Sequence, residues 1–174
     1  MFVRIGSTAF LFNESKVLLM KRSMDKKIAP GLWSGIGGHA EPFELNNPMA
    51  TCYREVYEET GIEEKDINDL NLRYITLRKC ENDNEIRLSY FYFGKTDCID
   101  VIDTNEGELF WVEKENVLDL KMSGTIQEVV KHYFKIGYLN SQIFVGVMTE
   151  SESEIINWTV LSDYENLKAV TIPG

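Results

Sequence analysis

Nowhere in the 174 residues does an apolar run approach the roughly 18 needed to span a bilayer, and no basic segment followed by an apolar one opens the chain. Neither an export signal nor a membrane span is expected, and a reducing cytoplasm is the simplest home. Cysteine is scarce: Cys52, Cys80 and Cys98 have no CxxC spacing, and His39 and His132 are the only histidines. That argues against a disulfide framework or a zinc site, so the cysteines read as small buried residues. Positive charge is in deficit, with 18 Lys and Arg against 28 Asp and Glu, a net charge of −10. Binding to a nucleic-acid polymer, which relies on cations neutralising phosphates, is not expected. A small phosphorylated ligand stays open if metal ions bridge the two negative partners. Repeats, linkers and low-complexity tracts are also missing, so the 44% hydrophobic and 11% aromatic content points to one globular domain over residues 1–174.

The apolar runs STAFLF and KVLLMKR flank Asn13-Glu14-Ser15, which predicts a hairpin. A loop with Pro30, Pro42, Gly31, Gly35, Gly37 and Gly38 follows. The spacing predicts a helix from Pro48 to about Thr60, with Asn47 as N-cap, Pro48 in the first turn and Gly61 as the left-handed stop. LRYITLRKC and IRLSYFYFGK read as strands around the polar turn at 81–85, and ELFWV as a short strand. Ile126, Val129, Val130, Tyr133 and Phe134 recur at helical spacing and predict a second helix, from Ser123 or Thr125 to Ile136. QIFVGVM and IINWTVL, around TESESE, predict a further hairpin at about 140–174, a candidate edge for a homodimer. Mixed elements with prominent hairpins indicate an α+β layered domain with a mixed sheet.

The first helix carries the chemistry. At about 100° per residue, Glu55, Glu58 and Glu59 share one sector, and Met49, Cys52, Tyr53, Val56 and Thr60 lie roughly opposite and should pack on a sheet. Like charges at this spacing destabilise a helix by about 0.2–0.5 kcal/mol per pair, so something positive is expected in front of them. Hard oxygen ligands on a rigid element suit Mg²⁺ or Mn²⁺. Arg54, one turn before Glu58, can orient that carboxylate, while Gly37-Gly38 lets the backbone come close. Taken alone, the cluster reads more readily as a solvated helix face, as charge runs usually do.

The wider pattern tips the balance. Gly38, five residues, Glu44, nine residues and then Arg54-Glu55-Val56-Tyr57-Glu58-Glu59-Thr60-Gly61-Ile62 resemble the Nudix box, G-x5-E-x7-R-E-U-x-E-E-x-G-U with U aliphatic. The two extra residues fall at about Leu45-Asn46, before the helix, so spacing inside the helix is kept. The resemblance implies a Nudix-type α/β/α sandwich that hydrolyses nucleoside diphosphates linked to a group X, using divalent metal. It implies metal-binding and catalytic roles for Glu55, Glu58 and Glu59, and supporting roles for Gly38, Glu44 and Arg54. A further glutamate a few residues before a tryptophan often serves as ligand or base, a place filled by Glu106 in EGELFW, with Glu108 as the other candidate.

By the same resemblance Arg22, at a strand end beside the glycine loop, is a phosphate-binding candidate, its alternative being a solvated strand-end charge. His39 is a second candidate, the alternative being a structural role. His132 reads as a surface residue, Trp33 as loop packing and Tyr90 to Phe93 as sheet faces. The segment from EGELFWV to LDLKMSGTI is similar to MutT-like enzymes. It implies cleavage of a nucleoside triphosphate, an oxidised purine deoxynucleotide among the candidates, to monophosphate and pyrophosphate, with the base read around residues 119–124. ADP-ribose or another nucleoside diphosphate-X is the alternative substrate, and a non-catalytic nucleotide sensor the alternative role.

Overall fold

The computed structural model describes residues 2–26, 29–80, 84–102, 104–148 and 156–161. Residues 81–83 of one expected turn and all of TESESE lie outside those residues, as does the end of the chain from 162. The elements run β1 (Phe2–Asn13), β2 (Lys16–Arg22), β3 (Trp33–Ser34), β4 (Ile36–His39), α1 (Pro48–Thr60), β5 (Ile67–Cys80), β6 (Glu85–Thr96), β7 (Gly107–Glu113), α2 (Gly124–Lys135), β8 (Phe144–Met148) and β9 (Asn157–Val160). Among the described residues the nine strands form one mixed sheet in the order β3-β2-β1-β6-β5-β8-β9, with β4 pairing to β1 and β7 to β2.

β1 and β2 form the expected hairpin, with Asn13 opposite Lys16 and Glu14 supplying a left-handed residue, φ 50°, for the tight turn. Side chains alternate across a strand, so an unbroken apolar run must be covered on both faces. Phe10, Val17, Leu19, Phe91 and Phe93 point to one side, where Val129, Val130 and Tyr133 of α2 cover them. Their neighbours Ala9, Leu11, Leu18, Met20 and Tyr92 point to the other, against Cys52 and Val56 of α1. A helix on each face of the mixed sheet makes the α/β/α sandwich. Cys52 and Cys80 are buried, whereas Cys98 is only partly so.

β8 pairs in parallel with β5 and antiparallel with β9, so the tail strands extend the main sheet. His132 corrects the surface expectation. Its Nδ1 lies 2.9 Å from the Tyr74 hydroxyl, and its ring packs on Phe144 and Trp158 with centroids 4.7 and 5.3 Å away. Partial burial lowers its pKa. Helical spacing put His132 on α2 but could not show that a strand from the tail would cover it. Trp33 does pack, against Phe110 with centroids 5.1 Å apart. No helix among the described residues is long and apolar enough to cross a membrane.

Leu19 is fully buried and Phe43 is 78% exposed. Leu19→Ala is expected to lower the unfolding free energy by about 2–5 kcal/mol and Phe43→Ala by no more than about 0.5 kcal/mol, as read from urea unfolding.

Candidate active site

The caps that start and stop α1 fix where its acidic face points. The Asn47 side chain accepts a hydrogen bond from the Ala50 N–H, Pro48 opens the first turn, and Gly61 takes φ 78° while donating its N–H to Tyr57. The Ser7 hydroxyl of β1 donates to the Pro48 carbonyl at 2.6 Å, tying the helix start to the sheet. The inserted Leu45 and Asn46 lie in the turn before the cap, where the Asn47 N–H donates to the Glu44 carbonyl at 2.8 Å.

The acidic sector does not form a single solvated face. Glu58 is exposed, its side chain 54% accessible, whereas the Glu55 side chain is at 13% and Glu59 is buried. β4 runs directly under the helix and covers two of the three. A Cβ on Gly38 would lie about 2.5 Å from a Glu55 carboxylate oxygen, so this approach requires glycine. The Gly37 N–H donates to Glu59 Oε2 at 3.0 Å, and Gly37 itself has φ 156°. Burial and the Glu55 charge push the Glu59 carboxyl up to about 8; burial, partly offset by Arg54, also raises Glu55.

Arg54 is the positive group set against this cluster. Its Nε and Nη2 donate to the two oxygens of Glu44 at 2.8 and 2.9 Å, its Nη1 to Glu55 and Glu58 at 2.9 Å each, and Nη2 also to the His39 carbonyl. Glu44 is buried and also accepts from the Thr51 hydroxyl and the Glu41 N–H. The Arg54 guanidinium holds its carboxyl down at about 2. The Glu58 pairing expected of Arg54 is present. The larger contact to Glu44 needs the loop to fold back over the helix.

A cavity of about 800 Å³ opens beside this face. Glu55, Glu58, Glu59, Gly38, Arg22, His39 and Glu106 all line it. Arg22 ends β2 opposite Gly107, near enough for its charge to act on Glu59. Glu106 lies just before β7, and its Oε1 accepts from Lys26 Nζ at 2.6 Å. Glu108, one register step inside β7 opposite Lys21, is absent from the lining. His39 ends β4; desolvation first and then Arg4 and Arg87 hold its imidazole below the usual value. From the 119–124 segment Ser123 reaches the cavity.

Among the described residues no three His, Cys, Asp or Glu side chains converge closely enough to coordinate one ion as arranged. Arg54 Nη1 sits between Glu55 and Glu58 and satisfies both. The donor set is nevertheless one of hard carboxylate oxygens, of the kind that suits Mg²⁺ or Mn²⁺, and the space over Gly38 admits Glu55 only because no Cβ fills it. The residues present therefore fit a divalent ion once Nη1 gives way.

The far side of the cavity is lined by Arg4, Thr76, Arg78, Arg87 and Ser89, residues the sequence reading did not single out. They come from β1, β5 and β6, and only the strand pairing joins them. Alternation within each strand was the available signal, but it gives no register between strands.

A family model described as the NUDIX domain matches residues 3–160. Among solved structures, the MutT protein of Bacillus halodurans superposes with TM-score 0.70 at 18% identity, over 91% of this chain and 98% of that one. The MutT protein of Methanosarcina mazei Go1 gives 0.65 at 21% identity, over 78% and 96%. The NUDIX domain of Shewanella oneidensis NrtR, solved in complex with ADP ribose, gives 0.61 at 15% identity, over 80% and 89%. At such identities these likenesses establish the fold, while the family match spans nearly the whole chain, and Gly38 and the three glutamates of α1 line one cavity. The chain belongs to the Nudix family and is a Nudix hydrolase.

Proposed function

We propose that the protein is a Mg²⁺-dependent pyrophosphohydrolase that cleaves a nucleoside triphosphate to the monophosphate and pyrophosphate, with oxidised purine deoxynucleotides among its candidate substrates. The observation that carries this reading is the cavity in which Glu55, Glu58, Glu59 and Glu106 face the same space as Arg22 and His39. Carboxylates and phosphate-binding cations have a common use where a polyphosphate lies between them. Glu55, Glu58, Glu59 and Glu106 are the residues that would hold Mg²⁺ or Mn²⁺. When bound, the ion supplies charge neutralisation at phosphorus and an activated water.

The remaining roles belong to the chain. Gly37 and Gly38 hold the two inner carboxylates in place, the first through its N–H and the second by leaving room. Arg54, locked by Glu44, aims Glu55 and Glu58. Arg22 binds a terminal phosphate through a guanidinium suited to paired contacts, and His39 lies where it would touch the phosphate chain. Ser123 and its neighbours face the part of the cavity left for the base. A nucleotide panel assayed with Mg²⁺ tests the reading: pyrophosphate is the expected product of a triphosphate. AMP from ADP-ribose, with no pyrophosphate from any triphosphate, would replace it with the nucleoside diphosphate-X reading.

Three outcomes follow from the geometry. Glu59→Gln is expected to lower turnover at saturating Mg²⁺ at least a hundredfold while the protein stays folded. Because the folded carboxyl titrates near 8, above its ordinary value of 4.5, the folded state binds a proton that the unfolded state has released across that window. Glu59 therefore favours folding below about pH 4.5, and this contribution is lost as pH rises towards 8. In metal-free protein the variant should lose less stability than wild type between pH 5 and 8, measured by urea unfolding on a pH series. Arg22→Ala is expected to raise KM for the triphosphate about tenfold or more with little change in Mg²⁺ affinity, read by steady-state kinetics alongside a metal titration.

A further inference from the structure

The arginines on the far side of the cavity form an ordered row. Arg4 of β1 pairs in register with Arg87 of β6, and Arg87 with Arg78 of β5. Residues directly opposite in a sheet share a face and lie side by side. The next positions on that face are Gly6, Ser89 and Thr76, then Thr8, Phe91 and Tyr74. Three guanidiniums thus cap a small polar platform on the sheet face that floors the cavity.

Like charges directly opposite one another destabilise a sheet, and only part of this charge is met. Glu85, with its side chain 7% exposed, takes Arg4 Nε on one oxygen at 2.9 Å and Arg87 Nε on the other. The hydrogen bond from Arg87, first, and the Arg4 charge keep its carboxyl ionised. Glu85 thereby fixes the orientation of two arginines. Arg78 is half-buried and forms no ion pair among the described residues. Such a concentration of positive charge, in a chain of net charge −10, calls for an anion.

Its position shows which part of a ligand it would meet. Gly38 and Gly37, which hold Glu55 and Glu59, pair with Ser7 and Thr8. Arg4 lies three to four residues back along the same strand, about 10–13 Å at about 3.3 Å per residue. That span exceeds one phosphoanhydride repeat and suits a sugar-sized spacer. Arg22, at the carboxylate end, is the cation placed for the scissile chain.

We propose that the Arg4–Arg87–Arg78 row is a second anion subsite, holding a phosphoryl group that the nucleotide carries on its sugar, beyond the chain that is cut. The preferred substrates are then nucleotides phosphorylated at two places, a 5′ phosphate chain and a further sugar phosphate. Arg78 donates to that phosphate with no competing carboxylate among the described residues, and the Glu85-anchored pair completes the cradle. The inference rests on the reading of the cavity as a nucleotide site.

Calorimetry with adenosine 3′,5′-bisphosphate and with AMP, in Mg²⁺, tests it without turnover. Wild type is expected to bind the bisphosphate at least tenfold tighter. That ratio should fall to near one in Arg78→Ala and be intermediate in Arg78→Lys, which keeps the charge but loses the planar fork. Equal wild-type affinities, or a preference that survives in Arg78→Ala, would overturn the subsite. Release of pyrophosphate from a triphosphate, combined with equal binding of the two probes, leaves the hydrolase reading intact and removes the subsite. An Arg78-dependent preference without any triphosphate cleavage keeps the subsite and removes the triphosphate reading.

Discussion

The close contact between α1 and β4 governs the rest of the site. Two carboxylates of the helix lie against strand backbone, Glu55 where Gly38 has no side chain and Glu59 on the Gly37 N–H. A Cβ at Gly38 would displace the Glu55 carboxylate, and one at Gly37 would strike the Ser7 carbonyl and Thr8 backbone of β1. The same contact holds Glu55 and Glu59 on the cavity that Glu58 also lines.

Placing acids in so dry a spot requires compensation, and the chain supplies it asymmetrically. Glu44 lies behind Arg54 and accepts two of its hydrogen bonds, while Thr51 and the Glu41 N–H satisfy the rest of that carboxylate. A fully hydrogen-bonded network of this kind is rigid, since removing one member would leave a buried group without a partner. The two-residue insertion at Leu45-Asn46 leaves it intact because Leu45 projects outward, 52% exposed, and the added length is taken up in the turn before Asn47.

Local physics made much of this legible in the sequence. Asn47, Pro48 and Gly61 mark both ends of α1 because capping acts within a turn of the chain, and short apolar runs bounded by polar turns mark the strands because turn chemistry is local too. The burial of Glu59 was not legible. Helical spacing places it beside Glu55 and Glu58, but whether that sector meets water depends on β4, a separate segment at residues 36–39. His132 was misread for the same reason, its cover coming from Phe144 and Trp158 in the tail. The Arg4–Arg87–Arg78 alignment is the strongest case. It arises from a parallel pairing between the first strand and one more than eighty residues later, and a one-residue slip in that register would turn Arg87 to the opposite face.

The network around Arg54 also explains how one guanidinium can serve a site that must hold a cation. Nε and Nη2 are committed to Glu44 and the His39 carbonyl, so the position of the side chain does not depend on Nη1. Nη1 alone reaches Glu55 and Glu58. Those two contacts can therefore be exchanged for contacts to a more highly charged ion while Arg54 stays where it is. Had Arg54 been held only by the helix carboxylates, the exchange would have freed it into the cavity, adding a mobile positive charge beside the substrate. The buried Glu44, ionised down to about pH 2, keeps the arginine in place whether or not the front of the site is filled.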